Sequence, residues 1–152
     1  MKHKEILKHV CNTDRAQELS NYIDILLESS FVVGKEDASE ESVNLRKVQS
    51  RLRDFFMVTG ISDDPDFKER KSLGKLKEAL EGAEKLSLSL TFRPQGDFLS
   101  DLYAWFSDNG FTNFLLDVEV KPEILGGFEL VWGGKYMDKT LVSEVEKYVS
   151  KQ

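Results

Sequence analysis

The spacing of apolar residues predicts that the first part of the chain is helical. Up to about residue 60, apolar positions recur every three or four residues, as on the buried face of an amphipathic helix. They are Leu19, Tyr22, Ile23, Leu26 and Leu27 in one stretch, and Leu45, Val48, Leu52, Phe55 and Phe56 in the next. Thr13 or Asp14 is placed to cap the first of these helices, and Gly60 to end the second. Residues 1–60 are therefore predicted to form an N-terminal helical region.

Residues 61–83 are predicted to be a linker followed by a connecting helix. The stretch 60–72 combines glycine, proline and charge of both signs, which is typical of a linker. A short helix is then expected from Leu73 to Ala83. An earlier break falls at residues 29–38, where Asp37 precedes a glutamate by three residues, as in a capping box.

From residue 84 onward the pattern changes to alternating element types. Residues 85–92, KLSLSLTF, alternate as a strand does, with three leucines and Phe92 on one face. A helix is expected over residues 97–110. Its predicted apolar side consists of Phe98, Leu99, Leu102, Trp105 and Phe106. The beginning of the C-terminal domain, residues 84–152, is thus predicted as strand and then helix.

Two further strands and a helix complete this prediction. Residues 111–120 and 128–132 read as strands, and KYM (135–137) continues the extended chain. The last helix has apolar residues at helical spacing, which are Leu141, Val142, Val145, Tyr148 and Val149. The predicted fold class is α+β. A reduced N-terminal helical bundle precedes a small βαββα layer, with its helices packed on a short sheet.

Charge and composition exclude several classes of protein. The 152 residues carry a formal net charge of −6, which argues against binding nucleic acid through a basic surface. No apolar run approaches the roughly 18 residues of a membrane span, and the N-terminus lacks the core of a signal peptide. With a single cysteine, the chain is expected to work in a reducing compartment.

Two glycine pairs raise the question of a phosphate loop. Gly126-Gly127 and Gly133-Gly134 supply four of the ten glycines in the chain. A P-loop requires a hydroxyl residue directly after its lysine, but Lys135 is followed by Tyr136. A dinucleotide fingerprint lies between a strand and a helix, whereas these pairs flank a strand. The pairs are therefore predicted to provide positive φ at turns or bulges.

Other catalytic signals are also missing from the sequence. His3 and His9 are not at the i, i+4 spacing of two metal ligands on a helix, and a frayed, solvated N-terminal segment is expected there. Cys11 is interpreted as a small, part-buried apolar residue on an N-terminal helix. The protein is predicted not to be an enzyme and to need no cofactor or metal. An enzyme whose site is assembled from scattered polar residues stays a third alternative.

The stretch Val120–Thr140 resembles the C-terminal part of the delta subunit of F-type ATP synthases, the oligomycin-sensitivity-conferring protein family. That family has proline, two aliphatic residues, Gly-Gly, an alternating strand, a polar turn and then Asp-x-Ser before the last helix. Here Pro122 precedes Ile124 and Leu125, followed by Gly126-Gly127 and FELVW. Asp138-Lys139-Thr140 stands at the position of Asp-x-Ser. The resemblance covers residues 115–150 best and extends back to 85.

This resemblance implies a stator subunit in the peripheral stalk. The N-terminal helices would contact the catalytic alpha and beta subunits, and the C-terminal domain would bind the stalk b subunits. The complex would lie on the cytoplasmic side of a bacterial inner membrane, with this chain peripheral to it. The alternatives are a non-catalytic adaptor or regulatory domain, and a subunit like the stalk E subunit of V- and A-type ATPases.

The resemblance also implies roles for particular residues. Gly126 and Gly127 would let the chain reverse tightly between two strands, and Asp138 or Thr140 would cap the last helix. Stalk helices would dock on an exposed apolar patch. The candidate residues for that patch are Leu125, Phe128, Trp132 and Tyr136. Independently of the resemblance, the aromatic residues around the end of the central helix are predicted to form either core or a partner-binding groove; they are Trp105, Phe106, Phe111 and Phe114.

Overall fold

The computed structural model describes residues 3–29, 40–58 and 70–150. The chain forms two compact units, one of Met1–His9 with Arg15–Gly82 and one of Val10–Asp14 with Ala83–Gln152. The predicted capping box at Asp37, the helix end at Gly60 and most of the predicted linker lie outside the described residues.

The first unit consists of helices. Their bounds are α1 (His3–Val10), α2 (Thr13–Ser29), α3 (Glu40–Val58) and α4 (Arg70–Glu81). The apolar side chains that these helices bury in this unit are Ile6, Leu7, Ala16, Leu19, Ile23, Val48, Leu52, Leu76 and Leu80. Helices α2 and α3 are therefore confirmed, and the connecting helix begins three residues earlier than predicted.

Arg51 and Lys77 make polar contacts that join helices of this unit. Arg51 of α3 donates hydrogen bonds to Glu18 and Tyr22 of α2, at 3.3 and 2.5 Å. Lys77 of α4 donates to Asp24 of α2 at 2.5 Å. The hydrogen bond to Asp24 raises the pKa of Lys77. Arg51 and Glu18 are more than half exposed and Lys77 and Asp24 are partly exposed, so these contacts contribute little to stability beside the buried leucines.

The prediction for the first residues was wrong. They form α1 rather than a frayed segment, and Ile6 and Leu7 are almost completely buried. Cys11 is also fully buried and lies between α1 and α2, not on a helix, with φ of 64°. The burial of apolar side chains of α1 offsets the loss of conformational entropy on ordering this end of the chain. The predicted frayed segment left this burial out of account.

The second unit contains a four-stranded sheet. Its elements are β1 (Glu84–Leu90), α5 (Asp97–Asp108), β2 (Phe114–Val120), a 3-10 turn (Pro122–Ile124), β3 (Gly127–Trp132), β4 (Lys135–Thr140) and α6 (Leu141–Val149). The strand order is β2-β1-β3-β4. Strand β1 is parallel to β2 and antiparallel to β3, and β3 is antiparallel to β4. The α+β class is confirmed, with a fourth strand where only an extended continuation was expected.

The sheet order corrects one expectation about the first glycine pair. Strands β2 and β3 run in opposite directions but are not neighbours, because β1 lies between them. Gly126-Gly127 therefore does not close a tight hairpin. The pair ends a longer connection that passes the end of β1, where Lys121 donates its backbone N–H to the Leu90 carbonyl at 2.7 Å.

One face of the sheet is apolar and is covered by α5. Leu86 and Leu88 of β1 are buried on this face, and Phe114 of β2 stacks on Tyr103 of α5 with ring centroids 4.4 Å apart. Burial raises the pKa of Tyr103 to about 12, with a smaller contribution from the charge of Cys11. The hydroxyl thus stays neutral inside the core at physiological pH.

The buried side of α5 differs from the predicted one. It consists of Leu99, Tyr103 and Phe106, whereas Phe98 and Trp105 are exposed. Phe92 is exposed as well, because β1 ends at Leu90. Phe92 and Phe98 instead pack against each other with their ring centroids 5.6 Å apart.

Residues 11–13, near the beginning of the chain, form hydrogen bonds with the edge strand β2. Asn12 forms a parallel bridge with Leu116, whose backbone N–H donates to the Cys11 carbonyl at 2.9 Å. Thr13 donates its hydroxyl to Asp117 of β2 at 3.1 Å. The C-terminal unit therefore includes residues from the beginning of the chain, and a fragment starting at residue 84 would lack them.

Gly127 and Gly134 provide a test of how tightly β3 and β4 are packed. Both have similar positive φ, 77° and 74°. A Cβ at Gly127 would lie 2.0 Å from the Lys139 carbonyl oxygen, but one at Gly134 would meet nothing within 4 Å. We expect Gly127→Ala to lower the free energy of unfolding by about 3 kcal/mol or more and Gly134→Ala by about 1 kcal/mol. Urea unfolding followed by tryptophan fluorescence measures both, and equal losses would contradict the close approach at Gly127.

Candidate partner-binding surface

The second glycine pair forms the hairpin between β3 and β4. Gly133 and Gly134 have φ of 54° and 74° and connect the paired residues Trp132 and Lys135. Positive φ at both central residues is what a two-residue type I′ turn requires. The hairpin thus has a structural reason for its glycines, as the sequence predicted.

The four residues predicted to bind a partner do not share one surface. Phe128 and Trp132 alternate with Glu129 and Val131 along β3 and lie on the apolar face of the sheet. Tyr136 pairs with Val131 and therefore lies on the opposite, polar face. Leu125 lies in neither strand.

Trp132 belongs mainly to the core. It is half-buried, and its ring lies 5.5 Å from that of Phe111 and 6.0 Å from that of Phe114. Phe106 and Phe114 of the same cluster are buried, whereas Trp105 points to solvent. Replacing Trp132 would consequently disturb the fold together with any partner contact, so it is a poor probe of binding.

Tyr136 is exposed but takes part in a polar cluster on the sheet. Its hydroxyl donates to Glu129 at 3.2 Å. Lys121 donates to Glu129 at 3.0 Å and forms an ion pair with Glu119 at 3.3 Å. The hydrogen bond from Lys121 lowers the pKa of Glu129. These contacts place a charged network, rather than an apolar patch, around Tyr136.

The last helix is capped by Thr140 with support from Asp138. The Thr140 Oγ1 accepts a hydrogen bond from the Ser143 backbone N–H at 3.2 Å. One Asp138 oxygen accepts from the Thr140 backbone N–H at 2.8 Å and from its hydroxyl at 2.7 Å. The cap residue is thus Thr140, and Asp138 fixes the orientation of its hydroxyl. The two bonds from Thr140 lower the pKa of Asp138.

Gly126 fixes the first turn of α6 to the connection before β3. The Leu141 backbone N–H donates to the Gly126 carbonyl at 3.0 Å. A Cβ on Gly126 would lie 2.7 Å from Leu141 Cδ1, so the leucine side chain covers the glycine closely. Leu125 directly precedes this contact and has left-handed φ of 59°. Leu125 therefore lies next to the start of α6.

The apolar side of α6 is exposed, which its helical spacing alone does not predict. No residue of this helix is buried. The exposed fractions of its apolar residues are Leu141 53%, Val145 56%, Tyr148 78% and Val149 69%, and that of Leu125 is 73%. Leu141, Val145, Tyr148 and Val149 recur at i, i+4, i+7 and i+8, so they form one stripe along the helix. We call this stripe together with Leu125 the α6 surface.

The described residues contain neither a metal-binding cluster nor a helix suited to span a membrane. In the part of the chain that the structure describes, no three His, Cys, Asp or Glu side chains are grouped to hold a metal ion. None of the helices within residues 3–29, 40–58 and 70–150 has the length and apolarity needed to cross a bilayer.

The amino-acid sequence matches neither a protein-family model nor a curated protein. The likeness to delta subunits therefore rests on the residues around the two glycine pairs, and the function it implies is a proposal.

Removing the cap should loosen α6. Thr140 is 3% exposed, and valine has nearly its shape but cannot accept from Ser143. We expect Thr140→Val to lower the free energy of unfolding by about 1 kcal/mol. Thr112→Val, at an exposed loop position, should change it by less than about 0.5 kcal/mol. Equal effects in thermal unfolding would contradict the capping role.

The contribution of Asp138 should depend on pH. Its pKa is lower in the folded protein than in the unfolded chain, so it stabilises the fold above its unfolded pKa. That stability is lost as the pH falls through the lowered, folded-state pKa. The difference in unfolding free energy between the wild type and Asp138→Asn should therefore shrink on acidification below the ordinary aspartate pKa of about 3.9. A difference that stays unchanged as the pH falls well below this value would contradict the cap support.

Proposed function

We propose that this protein is a stator subunit of a rotary ATP synthase of the bacterial type, related to the delta subunit. Its C-terminal unit binds the b subunits of the peripheral stalk, and its helical unit contacts the catalytic alpha and beta subunits. The chain acts on the cytoplasmic side of the inner membrane and is held there through the complex. Its role is mechanical, because it opposes the torque that would turn the head with the rotor.

The observation that carries this proposal is the exposed α6 surface. Apolar side chains that face water along a whole helix are costly, and contiguous patches of this kind mark interaction sites. The helix is fixed at its first turn by Thr140 and by the Gly126 carbonyl, so the stripe is presented in a defined direction. An amphipathic stalk helix is a suitable partner for a stripe with this spacing.

The resemblance supplies the identity of the partner. Gly126-Gly127, Asp138 and Thr140 are the positions at which the chain resembles the delta subunit, and they are also the residues that build and anchor α6. Their structural role agrees with a binding function and requires no catalytic step. The residues of the resemblance and the α6 surface are thus parts of one feature.

The proposal is tested with the full chain as affinity bait. Detergent-solubilised membranes of the source organism are incubated with the wild type, and recovered proteins are identified by mass spectrometry. Recovery of the stalk b subunit together with alpha and beta is expected. Recovery of unrelated proteins in their place would overturn the stator function and favour an adaptor.

A surface variant locates the contact. Val145→Ser combined with Tyr148→Ser removes two anchors of the α6 surface without disturbing any buried residue. We expect at least about a tenfold loss of b-subunit recovery, since a single interface anchor is commonly worth more than 1.4 kcal/mol. Val43→Ser on α3 is the control, because Val43 has a similar exposed fraction of 47%. An equal loss in the control would show that α6 is not the stalk contact.

A further inference from the structure

The borders of the apolar stripe on α6 carry the same charge. Glu144 precedes Tyr148 by four residues and so lies beside it at one border of the stripe. On the other side of the stripe, Val142 lies beside Val149 at i, i+7, and Glu146 follows Val142 by four residues and so lies at that border. Both carboxylates are exposed. A third acidic residue, Glu123, is exposed two positions before Leu125.

Lys147, the basic residue of α6, does not change the negative charge at the borders of the stripe. Lys147 lies on the side away from the stripe and pairs with Glu144 at 3.3 Å. Both side chains of that pair are more than half exposed, so the attraction is weak and a partner cation can compete for the carboxylate. Lys139 precedes the helix and lies on β4, paired with Phe128.

These charges argue against a second copy of the chain as the partner. When two amphipathic helices pack along their stripes, the residues at the stripe borders face each other across the interface. Two copies of α6 would bring Glu144 and Glu146 towards carboxylates of the same kind. Like charges that face each other in this way oppose association.

We propose that the α6 surface receives an amphipathic helix of another protein whose apolar stripe is bordered by lysine or arginine. This inference rests on the proposed function and specifies the chemistry of the stalk segment. The nine residues of α6 span roughly 13 Å at about 1.5 Å per residue, so the contacted segment is two to three turns long. The apolar stripe supplies affinity, and the border charges select the partner.

Two synthetic helical peptides with the same leucine stripe test this directly. One has lysine at both borders of its stripe, and its twin has glutamate there. Binding of each labelled peptide to the full chain is measured by fluorescence anisotropy. We expect the lysine-bordered peptide to bind at least about tenfold more tightly at about 0.05 M salt, with the preference reduced at about 0.5 M, where screening is stronger. Equal binding of the two peptides would overturn the proposal.

Variants of the chain separate the effect of the border charges on peptide binding from the effect of the overall negative charge. Glu144→Gln with Glu146→Gln should reduce the preference several-fold, whereas Glu78→Gln with Asp101→Asn removes two exposed carboxylates elsewhere and should leave it unchanged. Equal effects of the two pairs would overturn the assignment to α6. Val145→Ser should weaken both peptides, and unchanged affinity would show that they bind outside the stripe.

The two proposals can fail separately. If membranes yield the stalk proteins but the peptides show no charge preference, the inference about the partner helix is wrong and the stator function stands. If the peptides show the preference but unrelated proteins are recovered from membranes, the chemistry of the α6 surface stands and the stator function is wrong.

Discussion

The C-terminal unit depends on the pairing of β1 with two different neighbours. Strand β1 pairs with β2 in parallel on one side and with β3 in antiparallel on the other. The positions of the β3–β4 hairpin and of α6 therefore follow from the register of β1 with these two strands. A shift by one residue would exchange Leu86 and Leu88 with Ser87 and Ser89 on the face that α5 covers. The burial of the two leucines therefore fixes the register, and through it the place at which Gly126 meets the start of α6.

Local features of this unit could be predicted from sequence because their causes are local. The positive φ of Gly133 and Gly134 and the cap at Thr140 each depend on a few adjacent residues. The strand order could not be predicted in the same way. The alternation of Leu86, Leu88 and Leu90 shows that β1 has one apolar face, but it is equally compatible with any choice of neighbours. The insertion of β1 between β2 and β3 is set by contacts that are distant in the chain.

The exposed surfaces were the least predictable part, and two helices show why. Helix α5 has two adjacent apolar stripes, Phe98–Leu102–Trp105 and Leu99–Tyr103–Phe106, and packing on Phe114 selects the second. Helix α6 has one clear stripe, and the sequence cannot tell whether this unit or another protein covers it. Of the four predicted binding residues, only Leu125 lies beside α6. Phe128 and Trp132 of β3 lie on the core face of the sheet, and Tyr136 of β4 lies in the charged network on the opposite face.

Connectivity gives the proposed mechanical role a physical basis. Residues Val10–Asp14 belong to the C-terminal unit although the residues on either side belong to the helical unit, so the chain passes between the units at three points. The segment is held by the bridge from Asn12 to Leu116 and by the bond from Thr13 to Asp117. A pull on α6 would reach β2 through the sheet and then the N-terminal helices through covalent bonds. A subunit proposed to resist torque gains from such a path, because force would not pass through the crossing between Gly82 and Ala83 alone.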